Sequence, residues 1–204
     1  ALEFHAAGLF LRTGDFDTGK AILDTVLAED EGDEEALYQL GVFYGMAEQS
    51  DHAIKTMMRV LEINPNNAHA LNYVGYTWAE RGENLERAED FIVRALAQRP
   101  NDGFITDSLG WIYFIRGRDL LRNESAILGK EFLIRARDQL NLAAELTGGD
   151  PVVSEHLGDV YRVLDEKRRA YEYYQQAVDM NHREDEQPDL LDKLDNLRRE
   201  LGEL

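Results

Sequence analysis

Small residues recur through this chain at a period close to 34, and that recurrence limits the fold more than any other feature. One column runs Ala7, Gly41, Gly75, Gly110 and Gly158, at intervals of 34, 34, 35 and 48. A second runs Gly19, Ala53, Ala88, Ala136 and Ala170, and a third Val26, Val60, Ala95, Ala143 and Ala177, both at intervals of 34, 35, 48 and 34. An aromatic stands three residues after each member of the first column: Phe10, Tyr44, Trp78, Tyr113 and Tyr161. Self-similarity at such a period marks an array of stacked units, none of which can bury its apolar face alone.

The spacing also dictates the unit. From the first small residue to the second is 12 or 13 residues in every unit but one. Two short amphipathic helices approach closely only where a side chain is nearly absent, so Gly or Ala marks the crossing, and the aromatic one turn on is expected to fill the space between neighbouring units. A Leu at Gly75 would overpack that crossing by roughly 1–3 kcal/mol. Asn64-Pro65, Arg99-Pro100 and Asp150-Pro151 fall at unit boundaries, where proline ends one helix or opens the next. Gly14, Gly82 and Gly117 fall at the expected inner turns, and Asp150 reads as an N-cap with Pro151 in the first turn.

These columns carry a family likeness. "ALYQLGVFYGMAEQSDHAIKTMMRVLEINPNN" resembles the tetratricopeptide repeat: a Leu-Gly pair, an aromatic three residues later, a central Ala, a later small residue, then Asn-Pro. The likeness spans five units, 1–33, 34–67, 68–102, 103–150 and 151–187, followed by an expected C-terminal capping helix over 188–204. Unit one has Gly19 where Ala is usual, and unit five ends in Asn181-His182 without the proline. The resemblance implies an all-α, right-handed superhelix of antiparallel helix pairs whose concave face binds an extended peptide or a helix. "GYTWAERGENLERAED" and "DSLGW" are further similar to the last repeats of long bacterial envelope proteins of this kind, some of them outer-membrane lipoproteins serving as adaptors. That likeness implies the cell envelope, with the cytoplasm as the alternative.

Composition narrows the function. With 44% hydrophobic and 30% charged residues, the chain suits a helix-rich array with ample core. Its net charge of −18 repels phosphate backbones and anionic lipid, so neither nucleic acid nor a membrane surface is an expected partner. No run of 18 apolar residues is present, so this segment is not expected to insert into a membrane. Without cysteine there are neither disulfides nor thiolate metal sites. The chain opens at Ala1 without a Met or a signal peptide, which reads as an excised segment of a longer protein.

Nothing in the sequence spells catalysis: there is no Gly-rich phosphate loop, no His-Glu-x-x-His and no Gly-x-Ser-x-Gly. The histidines, His5, His52, His69, His156 and His182, are scattered and read as polar surface residues, with His69 and His156 nearest the expected concave face. "AEDEGDEEA" at 28–36 lacks the spacing of a calcium loop and reads as acids favouring the start of a helix near Glu34. Asn123-Glu124-Ser125 matches a glycosylation sequon by chance composition. No cofactor, metal or catalytic residue is expected, and the partner is a protein or peptide.

In the resembled fold, the first helix of each pair lines the groove, through the residue after the small one and its neighbours one turn away. Carried onto this sequence, that selects Tyr38, Val42 and Gly45; Asn72, Tyr76 and Ala79; Asp107, Trp111 and Phe114; and Glu155, Asp159 and Arg162. Tyr76 and Trp111 are the expected anchors, since large rigid aromatics dominate interface energies. Asn72 is placed to hold a partner's backbone. None of the lining residues in units two to four is basic, which disfavours a carboxylate ligand. The competing reading of Trp111 is core packing against the neighbouring pair.

The array breaks its rhythm once. From Gly110 to Ala136 is 26 residues, placing an insertion near 118–132. Its apolar clusters, Leu120 and Leu121, Ala126 to Leu128 and Phe132 to Ile134, predict a lengthened helical hairpin rather than a linker, with Ser125 capping the second helix and Gly129 bending it. Residues 116–138 hold six bases against four acids. Arg118, Arg122, Lys130 and Arg135 are therefore candidates for docking an acidic or apolar partner or another copy, against the alternative of a tolerated insertion. After unit five, Leu190, Leu191, Leu194, Leu197 and Leu201 form one stripe, read as the cap, with partner or self-association as the other reading. The function expected is an adaptor or scaffold; the alternative is a structural spacer or self-association block.

Overall fold

A computed structural model describes residue 10 and residues 16–123, 125–180 and 189–202. Those residues form ten α-helices and no strand. In chain order they are α1 (Phe16–Glu29), α2 (Glu34–Met46), α3 (Ser50–Ile63), α4 (Ala68–Glu80), α5 (Leu85–Gln98), α6 (Gly103–Arg122), α7 (Ala126–Thr147), α8 (Pro151–Val163), α9 (Lys167–Asp179) and α10 (Leu190–Leu201). Antiparallel pairs α2/α3, α4/α5, α6/α7 and α8/α9 stack in sequence, each pair touching the next, as an α-solenoid. The expected turn at Gly14 lies outside the described residues.

The two helices of a pair start differently. Each first helix is capped by a side chain: Asp33 accepts from the Ala36 amide, Asn67 from Ala70, Asp102 from Phe104 and Ile105, and Asp150 from Val152 and Val153 with Pro151 in the first turn. Among the described residues, α3, α5, α7 and α9 have no side-chain cap, and Ser125, expected to cap α7, does not do so. The backbone closes these inner turns instead. Gln49, Glu83, Ser125 and Glu166 donate their amides to carbonyls five residues back, on Tyr44, Trp78, Leu120 and Tyr161, at 2.8–3.0 Å. Left-handed residues make three of these turns: Glu48, Gly82 with Asn84, and Asp165.

The small-residue column sits at the crossing within each pair. A Cβ at Gly75 would lie 2.9 Å from Ile92 Cδ1 and 3.0 Å from the Ala88 carbonyl oxygen; one at Gly110 would lie 2.6 Å from Leu140 Cγ. Each described aromatic of the column from Tyr44 on has a ring partner within its own pair: Tyr44 against His52, Trp78 against Phe91, Tyr113 against Phe132 and Tyr161 against Tyr173, at centroid distances of 5.2–5.8 Å. Tyr113 also reaches the pair before it, beside Glu89 of α5 and against the core of units two and three. Asn64 and Asn67 both donate to Glu34 Oε1 at 2.8 Å, tying one boundary turn to the start of α2.

The insertion lengthens both helices of its pair: α6 has 20 residues and α7 has 22, against 13 or 14 in the other pairs. Gly117 is therefore not at a turn but inside α6. Gly129 lets the backbones of α6 and α7 meet. A Cβ on Gly117 would lie 3.0 Å from the Gly129 carbonyl oxygen, and one on Gly129 2.9 Å from the Gly117 oxygen. At the other end, α10 buries Leu190, Leu194 and Leu197 against the last pair and exposes Leu191.

Candidate interaction groove

First helices touch directly across pair boundaries, α4 with α6 and α6 with α8, so they share the inner side of the curve. Tyr76 marks its centre. Burial raises the phenol well above its ordinary pKa, and carboxylates on three successive first helices, Glu80 on α4, Asp107 on α6 and Glu155 on α8, raise it further. A side chain on α4 senses α8, two pairs away, because the face is concave.

The structure distributes the expected lining residues unevenly. Tyr38, Val42, Asn72 and Tyr76 are half-buried, with Tyr38 close to the His69 ring and His69 bound to Arg99 at 2.7 Å. The Asn72 carboxamide oxygen is buried and accepts no hydrogen bond among the described residues. Phe114, expected to face a partner, is only 4% exposed and belongs to the core, and Ala79 is fully buried. Asp107 is also buried; its carboxylate binds His156 Nδ1 at 2.9 and 3.1 Å. Trp111 is half-buried, stacked on His156 at 4.0 Å and on Phe114 at 4.8 Å, and its indole N–H donates to Glu80. It thus packs against the neighbouring pair while keeping one edge at the groove.

The C-terminal end of the expected lining is already occupied. Lys193 of α10 donates to Glu155 at 2.6 Å and to Asp159 at 2.8 Å, and Arg162 donates to Glu200 at 2.7 Å. These three residues of α8 hold the last helix rather than an open surface. Burial works against the Lys193 charge, but Asp159 and Glu155 outweigh it and raise its pKa; Arg162 and Lys167 hold Glu200 down at about 2.

Sequence reasoning missed His156 and Lys193. His156 is a core residue, not a surface one. Burial disfavours its charge, but Asp107, with Asp159 and Glu155 behind it, outweighs that and raises the pKa. The one signal was the column three residues before each glycine, where Tyr38, Asn72, Asp107 and Glu155 stand and turn acidic toward the C-terminus. Nothing in the sequence showed that His156 answers Asp107. Among the described residues, no three His, Asp or Glu side chains gather as a metal site. No described helix is long and apolar enough to cross a membrane.

On the hairpin, Arg118 is half-buried, its guanidinium 5.5 Å above the Phe114 ring. Arg122, Lys130 and Arg135 are exposed, with Arg135 leaning over Phe132 at 5.3 Å.

Residues 10–73 match the family described as Tetratricopeptide repeat. No curated protein sequence matches the chain. Its fold is similar to that of a thermophilic TPR protein of Thermus thermophilus (23% identity, TM-score 0.72, 83% of each chain). It is similar too to PilW, a type IV pilus biogenesis factor (16% identity, TM-score 0.78, 98% of this chain and 85% of that one). MamA of Desulfovibrio magneticus RS-1 shares the architecture as well, at 21% identity and TM-score 0.66 over 87% of this chain and 92% of that one. Residues 10–73 thus match the tetratricopeptide repeat, the same helix-pair stacking continues to α9, and the fold of the chain is that of an α-solenoid similar to these repeat proteins.

Proposed function

We propose that this solenoid is a non-catalytic protein-interaction scaffold that holds a peptide or helix of a partner along α2, α4 and α6. The observation that carries the reading is Tyr76: a large aromatic, half-buried at the centre of the concave face and within the field of carboxylates from three helices. Tyr38 and Val42 extend that surface toward the N-terminus. Trp111 supplies an edge, not a free face, so Tyr76 is the principal anchor. The resemblance to envelope repeat proteins supports a place in a bacterial envelope assembly.

The test replaces Tyr76 with a photo-crosslinking aromatic, with Val93 on α5 as the control position, and identifies adducts formed in lysate of the source cell. Capture at Tyr76 that is absent at Val93, and lost when Tyr38→Ala is added, supports groove binding. Equal capture at both positions, or none at Tyr76, rejects it in favour of a spacer or of another surface.

A further inference from the structure

Of the ten large hydrophobic side chains exposed among the described residues, five lie on α7: Ile127, Leu128, Ile134, Leu142 and Leu146. No other helix holds more than one. Ile127 is 81% exposed, Ile134 44% and Leu142 43%. They run along the side of α7 opposite Leu133, Ala136, Leu140 and Ala143, which are buried against the rest of the solenoid. A soluble surface scatters its exposed apolar side chains; a row of them on one helix marks a contact face. This helix is also the one the insertion lengthens, and the close Gly117–Gly129 approach holds its extension firmly to α6.

The charges beside the stripe say what covers it. Lys130, Glu131 and Arg135 accompany its first half, and Arg137, Asp138 and Glu145 its second, with Arg137 bound to Asp138 at 2.8 Å. A uniformly acidic or basic partner would meet repulsion at one end or the other. A reversed copy of the same helix meets complementary charge at both. We propose that two copies of this chain associate through α7, antiparallel, about a two-fold axis at Ile134. The two Ile134 side chains then meet on the axis. Lys130 faces the second copy's Asp138, Glu131 faces the second copy's Arg137, and Ile127 lies beside the second copy's Leu142. Such an isologous contact closes on itself and uses each residue twice.

About an axis at Ile134, residues 126–142 of the two helices face each other, a length of about 24 Å at the α-helical rise of 1.5 Å per residue. One helix against one helix buries less than a standard interface of roughly 1,600 Å², so the dimer is weak and concentration-dependent. The charge of −18 on each copy opposes association, so salt strengthens it by screening. The contact lies on the convex side and leaves the groove open, so it stands or falls independently of peptide binding.

Sedimentation velocity from micromolar to millimolar protein tests the proposal. The expected result is a monomer–dimer equilibrium whose Kd rises at least tenfold in Ile134→Asp, with the helical circular dichroism spectrum unchanged because the position is exposed. Lys130→Asp and Asp138→Lys should each weaken the dimer several-fold, and the double exchange should restore it. The absence of cysteine allows a direct readout of register. Under oxidation, Ile134→Cys should form a covalent dimer, Leu142→Cys alone should not, and Ile127→Cys combined with Leu142→Cys should. A protein monomeric at every concentration, a dimer indifferent to Ile134→Asp, or a charge exchange that fails to restore association would overturn the arrangement.

Discussion

Gly117 tests the reading of the lengthened hairpin, because helix propensity and packing predict opposite signs there. In a helix interior, Gly→Ala gains about 1 kcal/mol from propensity alone. At Gly117, however, the added methyl would meet the Gly129 carbonyl oxygen at 3.0 Å, the Leu133 amide nitrogen at 3.0 Å and Leu133 Cγ at 2.9 Å. Two of these obstacles are backbone atoms of α7, so relief requires moving one helix away from the other. Overpacking of this kind costs roughly 1–3 kcal/mol. Looser packing around Leu133 and Leu121 places it in the upper part of that range, leaving Gly117→Ala destabilised by about 1–2 kcal/mol after the propensity gain. Gly41→Ala is the matched control. Its methyl would meet Met57 Cε at 2.8 Å and Sδ at 3.0 Å, the mobile end of a flexible side chain, so it should be neutral or slightly stabilising.

Urea titration followed by circular dichroism measures both variants. Solenoids can open at one pair before the others, so amide hydrogen exchange across 112–133 accompanies it. Faster exchange at these amides in Gly117→Ala, with α4 and α5 unaffected, is the expected signature. A Gly117→Ala protein more stable than the parent would show that the two backbones are not in contact, and the rigid extension would go with them.

Two further outcomes follow from the C-terminal end of the groove. Lys193→Met should leave Glu155 and Asp159 without their cation and loosen α10 by about 2 kcal/mol, below the full cost of breaking a buried pair because Lys193 remains partly exposed; hydrogen exchange in α10 should rise roughly thirtyfold, and unchanged protection would show that the leucines alone hold the helix. His156 should titrate above its ordinary 6.5, so its stabilising contribution is complete below that value and is lost as the pH rises through the folded-state pKa. The Trp111 indole reports this directly through the stacked imidazole, in a Trp78→Phe background: fluorescence should rise as the imidazolium loses its proton, and a midpoint at or below 6.5 would contradict the dominance of Asp107 over burial.

The reach of the sequence follows the range of each interaction. Helix pairing was legible because it depends on side-chain volume at fixed spacing: Gly75 must be small since Ile92 and Ala88 stand against it, and that requirement returns with every unit. The caps at Asp33, Asn67, Asp102 and Asp150 were similarly local, each acting on an amide two or three residues away. The aromatic column was visible but its partner was not, because Phe91 and Phe132 occupy different offsets from their own small residues and share no period. Groove chemistry was harder still. Phe114 had the right register to face a partner, yet α8 closes over it; Asp107 had the same register as Asn72, yet His156 claims it from 49 residues away.

The insertion shows how one break in the period changes what a repeat can offer. Equal pairs bury one another's faces along the stack, and each second helix leaves a polar convex side. Two additional turns lift α7 past the protection of its neighbours, and the added residues Ile127 and Leu128 arrive with the apolar pattern of a helix that expects cover. Loop insertions without such a role tend to be polar, since unprotected apolar residues invite aggregation. Here the extension instead keeps two glycines in register, Gly117 against Gly129, at a close approach that confers nothing on a loose loop. The same 14-residue excess in the spacing, 48 where neighbours have 34, thus creates the rigid strut and adds Ile127 and Leu128 to the apolar stripe that Ile134, Leu142 and Leu146 continue. If α7 proves solitary in solution, the stripe demands some other cover, and the crosslinks at Ile134 will have excluded the one partner whose charge pattern the helix itself specifies.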